Sequence, residues 1–142
     1  MENIKTDDLK IAIKKAFEAR KFSYVPYSNF SVGACLVLDN NEMIMGSNIE
    51  NSSFGATNCA ERTAIFKAIS DGKYNFKYIV IVGGKKDCVE FDYCPPCGIC
   101  RQVMTEFCDP NNFYIVLAKS VDDYIIYTLK DLMFLTFTKS NM

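Results

Sequence analysis

Residues 94–102 read Cys94-Pro95-Pro96-Cys97-Gly98-Ile99-Cys100-Arg101-Gln102, and no other stretch constrains the chain as much. Three cysteines stand at three-residue intervals, a spacing suited to metal binding. The paired prolines forbid helix ahead of Cys97, because proline lacks an N–H and fixes φ. Beyond Cys97 only Gly98 opposes a helix, and Gln102, Val103, Met104, Glu106 and Phe107 are compatible with one. Cys97 and Cys100 therefore fall in or beside a first helical turn, where residues three apart share a face. The helix dipole there favours the thiolate that a metal needs. The stretch does not contain a complete ligand set. Either Cys94 joins the other two, or ligands arrive from elsewhere in the chain.

Composition narrows the classes. At 142 residues the chain is expected to form one domain, 1–142, with one core. A net charge of −1 carries no electrostatic footprint for nucleic acid or an anionic membrane. Met1-Glu2-Asn3-Ile4-Lys5 leads into a polar amphipathic segment rather than the apolar core of a signal peptide. No run approaches the roughly 20 apolar residues that span a bilayer. Seven cysteines without a secretory leader point to a reducing compartment, the cytoplasm, where clustered thiols bind metal more often than they form disulfides. The chain has no histidine, so a zinc site must use sulfur or carboxylate, and a general base must be something other than imidazole.

In chain order, Asp7 and Asp8 can cap a helix with Leu9, Ile13, Ala16 and Phe17 on one face, ending before Pro26. Phe30–Leu38 reads as a buried strand, and Asp39–Glu42 closes a hairpin onto Met43–Asn48. A polar loop runs from Glu50 to Asn58. Cys59–Asp71 has helical spacing of Ala60, Ala64, Ile65, Ala68 and Ile69, and Gly72 stops it. Tyr78–Val82 is a short central strand ended by Gly83-Gly84. Phe113–Ala118 and Tyr124–Thr128 are further strands, and Leu129–Phe137 is too apolar for a solvated tail. Tyr78–Val82, the Cys97 helix and Phe113–Ala118 have the lengths of a βαβ unit. The expected fold is α/β: a mixed sheet of about five strands in a three-layer α-β-α arrangement.

Cys35 inside the first strand and Cys108 at a helix end read as small buried hydrophobes. Cys88 lies in a charged loop with nothing to single it out. C-x2-C-x2-C at 94–100 resembles an iron–sulfur run, but Met104 stands where the fourth ligand of the ferredoxin pattern would be. A second source of sulfur is Asn58-Cys59-Ala60-Glu61-Arg62, which opens the other strong helix. In an α/β sheet, chemistry collects outside the carboxyl ends of the strands, so two helix N-termini can converge there on one ion. Three thiolates on zinc leave a coordination position open. Glu61 could handle protons beside that position, and Arg62 could offset the net negative charge of the site. C-x-E joined to P-C-x-x-C is a zinc deaminase pattern with cysteine in the histidine position.

Four motifs in order resemble the small, three-cysteine, homotetrameric cytidine deaminases: Tyr27-Ser28-Asn29-Phe30-Ser31-Val32-Gly33-Ala34, Asn48-Ile49-Glu50-Asn51, Cys59-Ala60-Glu61-Arg62 and Pro96-Cys97-Gly98-Ile99-Cys100-Arg101-Gln102. The resemblance implies Zn²⁺ held by Cys59, Cys97 and Cys100, with Glu61 as the catalytic proton shuttle. It implies that Asn48 and Glu50 bond the ribose 3′-hydroxyl, that Phe30 packs near the base and that the Ala60 N–H reads the pyrimidine carbonyl. Arg62 would bond the ligand sulfurs, while Phe54 and Phe137 would be aromatics lent between subunits of a homotetramer. The tail at Asp131–Phe137 lacks the proline and glycine of the family's pattern, and Pro95 replaces its serine. The implied activity is hydrolysis of free cytidine or deoxycytidine to uridine or deoxyuridine, for pyrimidine salvage. The implied partner is thus a small nucleoside, with neither nucleic acid nor membrane. A blasticidin-type deaminase shares both zinc motifs, and a structural four-cysteine zinc or iron–sulfur protein would use Cys94 as its fourth ligand.

Overall fold

The computed structural model describes residues 4–142; Met1, Glu2 and Asn3 of the polar amino-terminal stretch lie outside the described residues. The first helix, α1 (Thr6–Arg20), buries Leu9, Ala12, Ile13, Ala16 and Ala19. Asp7 and Asp8 do not cap it. Lys5 holds the cap position without a side-chain bond, and the two aspartates sit in the first turn, where the dipole favours acid. The hairpin forms as expected from β1 (Phe30–Leu38) and β2 (Met43–Ser47), with Ala34 opposite Gly46. A 3-10 turn at Phe54–Ala56 interrupts the polar loop before α2 (Ala60–Ser70). Gly72, at φ 77°, takes the left-handed backbone that follows this helix.

Next come β3 (Phe76–Lys85), α3 (Gly98–Phe107), β4 (Tyr114–Ala118) and β5 (Tyr124–Thr128). The sheet order is β2-β1-β3-β4-β5, with β3 at the centre. β3 and β4 run parallel across the α3 crossover, and the other pairs are antiparallel. Strand alternation divides the core in two. Cys35, Val37, Tyr78, Val80, Val82 and Val116 pack under α1. Leu36, Ile79, Ile81, Ile115 and Leu117 meet Ala64, Ile65, Ala68, Cys100 and Met104 of α2 and α3 on the opposite face. This is the expected three-layer α-β-α fold.

Two further expectations need correction. Gly83-Gly84 do not end the central strand: they remain paired with Val32 and Ser31, and β3 continues to Lys85. The glycines are there because the following loop lies on them. A Cβ at Gly83 would stand 2.8 Å from Cys94 Sγ, and one at Gly84 would stand 2.6 Å from Cys88 Sγ. The apolar tail is also not packed away within this chain. Leu129 is fully buried, but Phe134 is 90% exposed and Leu135 and Phe137 are exposed as well.

The topology brings one end of the sheet to the helix starts. Phe30 opens β1 opposite Lys85 at the end of β3, and Ser47 closes β2 opposite Gly33. Contacts at this end are close because β2 has Gly46 facing α2. A Cβ there would stand 2.4 Å from the Ala60 carbonyl oxygen and 2.6 Å from the Ala64 nitrogen. The first turn of α2 thus rests directly on the sheet backbone.

Candidate active site

Cys59 and Cys97 occupy equivalent places. Each is an extended residue at the N-cap of its helix, α2 and α3 respectively, and Cys100 lies one turn into α3. The two helix starts bring Cys59, Cys97 and Cys100 together, with all three sulfurs within 4.8 Å of one another. Cys59 Sγ and Cys97 Sγ are 3.7 Å apart, and the Cys100 N–H points at Cys97 Sγ over 3.5 Å. All seven cysteines are free thiols. Arg62 Nη2 donates to Cys59 Sγ at 3.2 Å.

The electrostatics suit a cation. A hydrogen bond from Cys100, with further bonds from Arg62 and Cys97, draws the Cys59 thiol down to about 5. The same bond pushes Cys100 up, so one thiol of the pair ionises at the other's expense. A second thiolate in this space requires a positive charge beside it, as a zinc ion would provide. The donor set is three sulfurs at helix N-termini, and it fits zinc without a fourth protein ligand.

Cys94 is not a member of the cluster. Among the described residues the group that could hold a metal contains only Cys59, Cys97 and Cys100. The Cys94 sulfur instead lies over Gly83, in the space a side chain there would fill. Burial pushes its thiol up to about 12. Cys35 and Cys108 are likewise raised to about 12 by burial, as expected of thiols that serve as hydrophobes.

Glu61 is 4% exposed, one of two buried polar or charged side chains among the described residues, and it faces the same space. Burial raises its carboxyl to about 7, with the Cys59 charge adding to the effect. Ala60, the first residue of α2, presents one of the N–H groups that have no partner within the helix. The site therefore combines a three-sulfur metal seat built from two helix starts with a buried carboxyl and an unpaired amide in the first turn of α2.

The other expected residues lie around this centre in a more open setting. The Asn48 amide is tied to β1: its Nδ2 donates to the Phe30 carbonyl at 2.9 Å, and its Oδ1 accepts from the Val32 N–H at 2.9 Å. Glu50 Oε1 accepts from the N–H groups of Tyr27 and Ser28 at 3.0 and 3.1 Å. Its Oε2 accepts from Ser28 Oγ at 2.5 Å. That hydroxyl, helped by the two backbone bonds, holds the Glu50 carboxyl below the usual carboxylate range. Phe54 is 75% exposed and sits edge-on to Tyr27 at 5.7 Å between ring centroids. These two rings, with Ser28, Glu50 and Thr57, line a cavity of about 410 Å³.

Phe137 stands apart. It lies against α3 beside Gln102, Thr105 and Glu106, and its carbonyl accepts from Gln102 Nε2 at 2.9 Å. The structure does not bring it to the sulfur cluster of its own chain. Sequence reasoning missed the anchoring of loop 85–94. The Phe91 ring packs edge-on to Phe17 at 5.1 Å and lies under the Arg20 guanidinium at 4.8 Å, while Tyr93 bonds Asp123. Only the two aromatics within the loop's charged run, Phe91 and Tyr93, signalled this.

Comparison with known proteins agrees with the geometry. Residues 6–116 match the family model described as the cytidine and deoxycytidylate deaminase zinc-binding region. The chain is 44% identical over 135 residues to a cytidine deaminase of Halalkalibacterium halodurans, covering 95% of this chain and 98% of that protein. A crystal structure of cytidine deaminase from Burkholderia pseudomallei superposes with a TM-score of 0.80 at 40% identity, covering 89% of this chain and 97% of that one. The cytidine deaminase structure from Mycobacterium tuberculosis gives 0.77 at 30% identity, covering 92% and 98%. With its fold, its three-sulfur zinc seat and these relatives in agreement, the chain belongs to the cytidine deaminase family of zinc-dependent hydrolases.

Proposed function

We propose that the chain catalyses hydrolytic deamination of free cytidine and deoxycytidine, with Cys59, Cys97 and Cys100 holding zinc and Glu61 moving the protons. The observation that carries this reading is the convergence of two helix N-termini on one small space, with a buried carboxyl beside the sulfurs. A closed four-cysteine site would have no use for Glu61, and Cys94 is not among the sulfurs that converge. Zinc, when bound, supplies the Lewis acidity that makes water a nucleophile at neutral pH.

The chain's own residues do the rest. Glu61 takes a proton from the attacking water and delivers it to the ring nitrogen beside the amine-bearing carbon. The water oxygen bonds to that carbon; Glu61 then takes the remaining proton of the new hydroxyl and gives it to the amine, whose bond to the carbon breaks as the carbonyl forms. Cytidine and water become uridine and ammonia. The Ala60 N–H donates to the pyrimidine carbonyl, and Phe30 packs near the base. Asn48 and Glu50 hold the ribose 3′-hydroxyl, each with hydrogen-bonding capacity left after its ties to the chain. Arg62 donates to the Cys59 sulfur, lowering the charge the zinc seat presents.

This activity fits a role in pyrimidine salvage in the cytoplasm, by a single domain that assembles as a homotetramer. The exposed Phe134, Leu135 and Phe137 support assembly, since exposed apolar surface of this kind usually marks an interface. Phe54 and Phe137 would then be aromatics shared between subunits. Among the described residues no helix is long and apolar enough to cross a membrane. The test is direct. Purified protein incubated with cytidine should change its ultraviolet absorbance and release one ammonia per nucleoside consumed; bound zinc with no turnover would overturn the reading.

A further inference from the structure

We propose that Ser28 is a positioning residue that sets the ribose-holding carboxylate and the start of the base-stacking strand through one hydroxyl. This rests on the reading of Glu50 and Phe30 as substrate contacts. Ser28 Oγ donates to Glu50 Oε2 at 2.5 Å and accepts from the Phe30 N–H at 3.0 Å. The same oxygen therefore spans the two residues assigned to sugar and base. The hydroxyl has one proton to give and two lone pairs, so both bonds form together.

The surrounding turn is braced to keep that oxygen in place. Glu50 Oε1 takes the backbone N–H groups of Tyr27 and Ser28, and the Glu50 N–H donates to the Tyr24 carbonyl at 2.8 Å. From the other side Lys85 Nζ donates to the Ser28 carbonyl at 3.0 Å. Asn29 sits at φ 56°, in the left-handed region, and turns the chain sharply into β1. Three of the carboxylate's roughly four lone-pair sites are thus engaged before substrate arrives, which leaves one direction open for a ligand hydroxyl. The bond to Ser28 is exposed in the free protein, and a sugar seated in the adjacent cavity would cover it. Its strength should therefore rise when substrate binds, which is where a positioning bond has its effect.

A double-mutant cycle tests this, with KM and kcat for cytidine measured on the zinc-loaded protein. Ser28→Ala should raise KM about tenfold, the size expected for one bond to a charged group, with kcat changed less than about threefold. In a Glu50→Ala background the same change should raise KM by a clearly smaller factor, about threefold or less, since the hydroxyl has lost its acceptor and keeps only the Phe30 N–H. Ser28→Thr keeps the oxygen and should restore most of the loss, which a general defect of folding would not allow. An unchanged KM in Ser28→Ala, an equal factor in both backgrounds, or no rescue by threonine overturns the positioning role. Glu50→Ala alone reports on the underlying reading. A raised KM there with none in Ser28→Ala removes only Ser28's role, whereas an unchanged KM in Glu50→Ala removes both.

Discussion

The two ends of the candidate site are built by opposite means. At the sulfur end, backbone positions everything: two N-caps carry Cys59 and Cys97, and Gly46 lets the first turn of α2 rest on β2. Cys100 and Glu61 are buried, so their surroundings are determined by the core. At the end carrying Glu50 and Phe54, loop side chains hold one another. Glu50 is fastened by the Tyr27–Ser28 turn, and the Phe54 ring is largely in water. The sulfur end is preorganised within one chain, while the wall around Glu50 and Phe54 is open. Substitutions at the first end should therefore act on turnover and metal, and those at the second on KM.

The sharpest way to break this division is Glu61→Gln. The amide fills the same buried space but cannot carry protons, so zinc content should be retained while kcat falls roughly ten-thousandfold. Steady-state turnover together with metal analysis of the purified variant checks both halves. Robust activity would remove Glu61 from the mechanism and leave the burial of a carboxyl unexplained.

Loss of the metal strikes the same end by another route. Cys97→Ser, or chelation of the wild-type protein, should abolish activity and lower the melting temperature, because binding energy at such a site adds to folding energy. Chelation also tests the thiol assignments. At pH 7 the Cys59 thiol, drawn down to about 5, should be ionised and should react with an alkylating reagent once the metal is gone. Cys35 and Cys108, raised to about 12 by burial, stay protonated at that pH and should label slowly with or without metal. Peptide mapping of the alkylated protein would read this pattern. Rapid labelling of Cys59 in the zinc-loaded protein would contradict its place in the metal seat.

The contrast between the two ends also explains what the sequence revealed. C-x-E and P-C-x-x-C are short, and each stands at the start of a helix with clear punctuation: the Cys59 helix by its alanine spacing and Gly72, the Cys97 helix by Pro95-Pro96. Local signals thus sufficed for the sulfurs, and the rule that chemistry gathers outside the carboxyl ends of the strands of an α/β sheet sufficed to bring the two helix starts together. What escaped depends on contacts between distant segments. Gly83-Gly84 looked like a strand end, because nothing local indicates that Cys94 and Cys88 need the space their missing side chains leave. Asp7 and Asp8 looked like caps because acids suit both a cap and a first turn, and only the backbone distinguishes them. The tail looked too apolar to be exposed, yet among the described residues Phe134 and Leu135 stay exposed.

That tail provides the smallest effect and the most discriminating test of the open end. Phe137→Ala should raise KM for cytidine about two- to tenfold, the range for losing one aromatic contact, with little change in stability because the ring is 60% exposed. The size alone does not say whose site the ring serves, but mixing does. Subunits carrying Phe137→Ala retain Glu61, and subunits carrying Glu61→Gln retain Phe137. If the ring is lent between subunits, hybrids reassembled from the two should contain sites with a working Glu61 and an intact neighbouring Phe137, and part of the KM defect should disappear. If each ring serves its own chain, every active site in the hybrid still lacks it, and KM should stay at the Phe137→Ala value. In the structure Phe137 lies on the flank of α3, away from the sulfurs of its own chain, so the first result is expected.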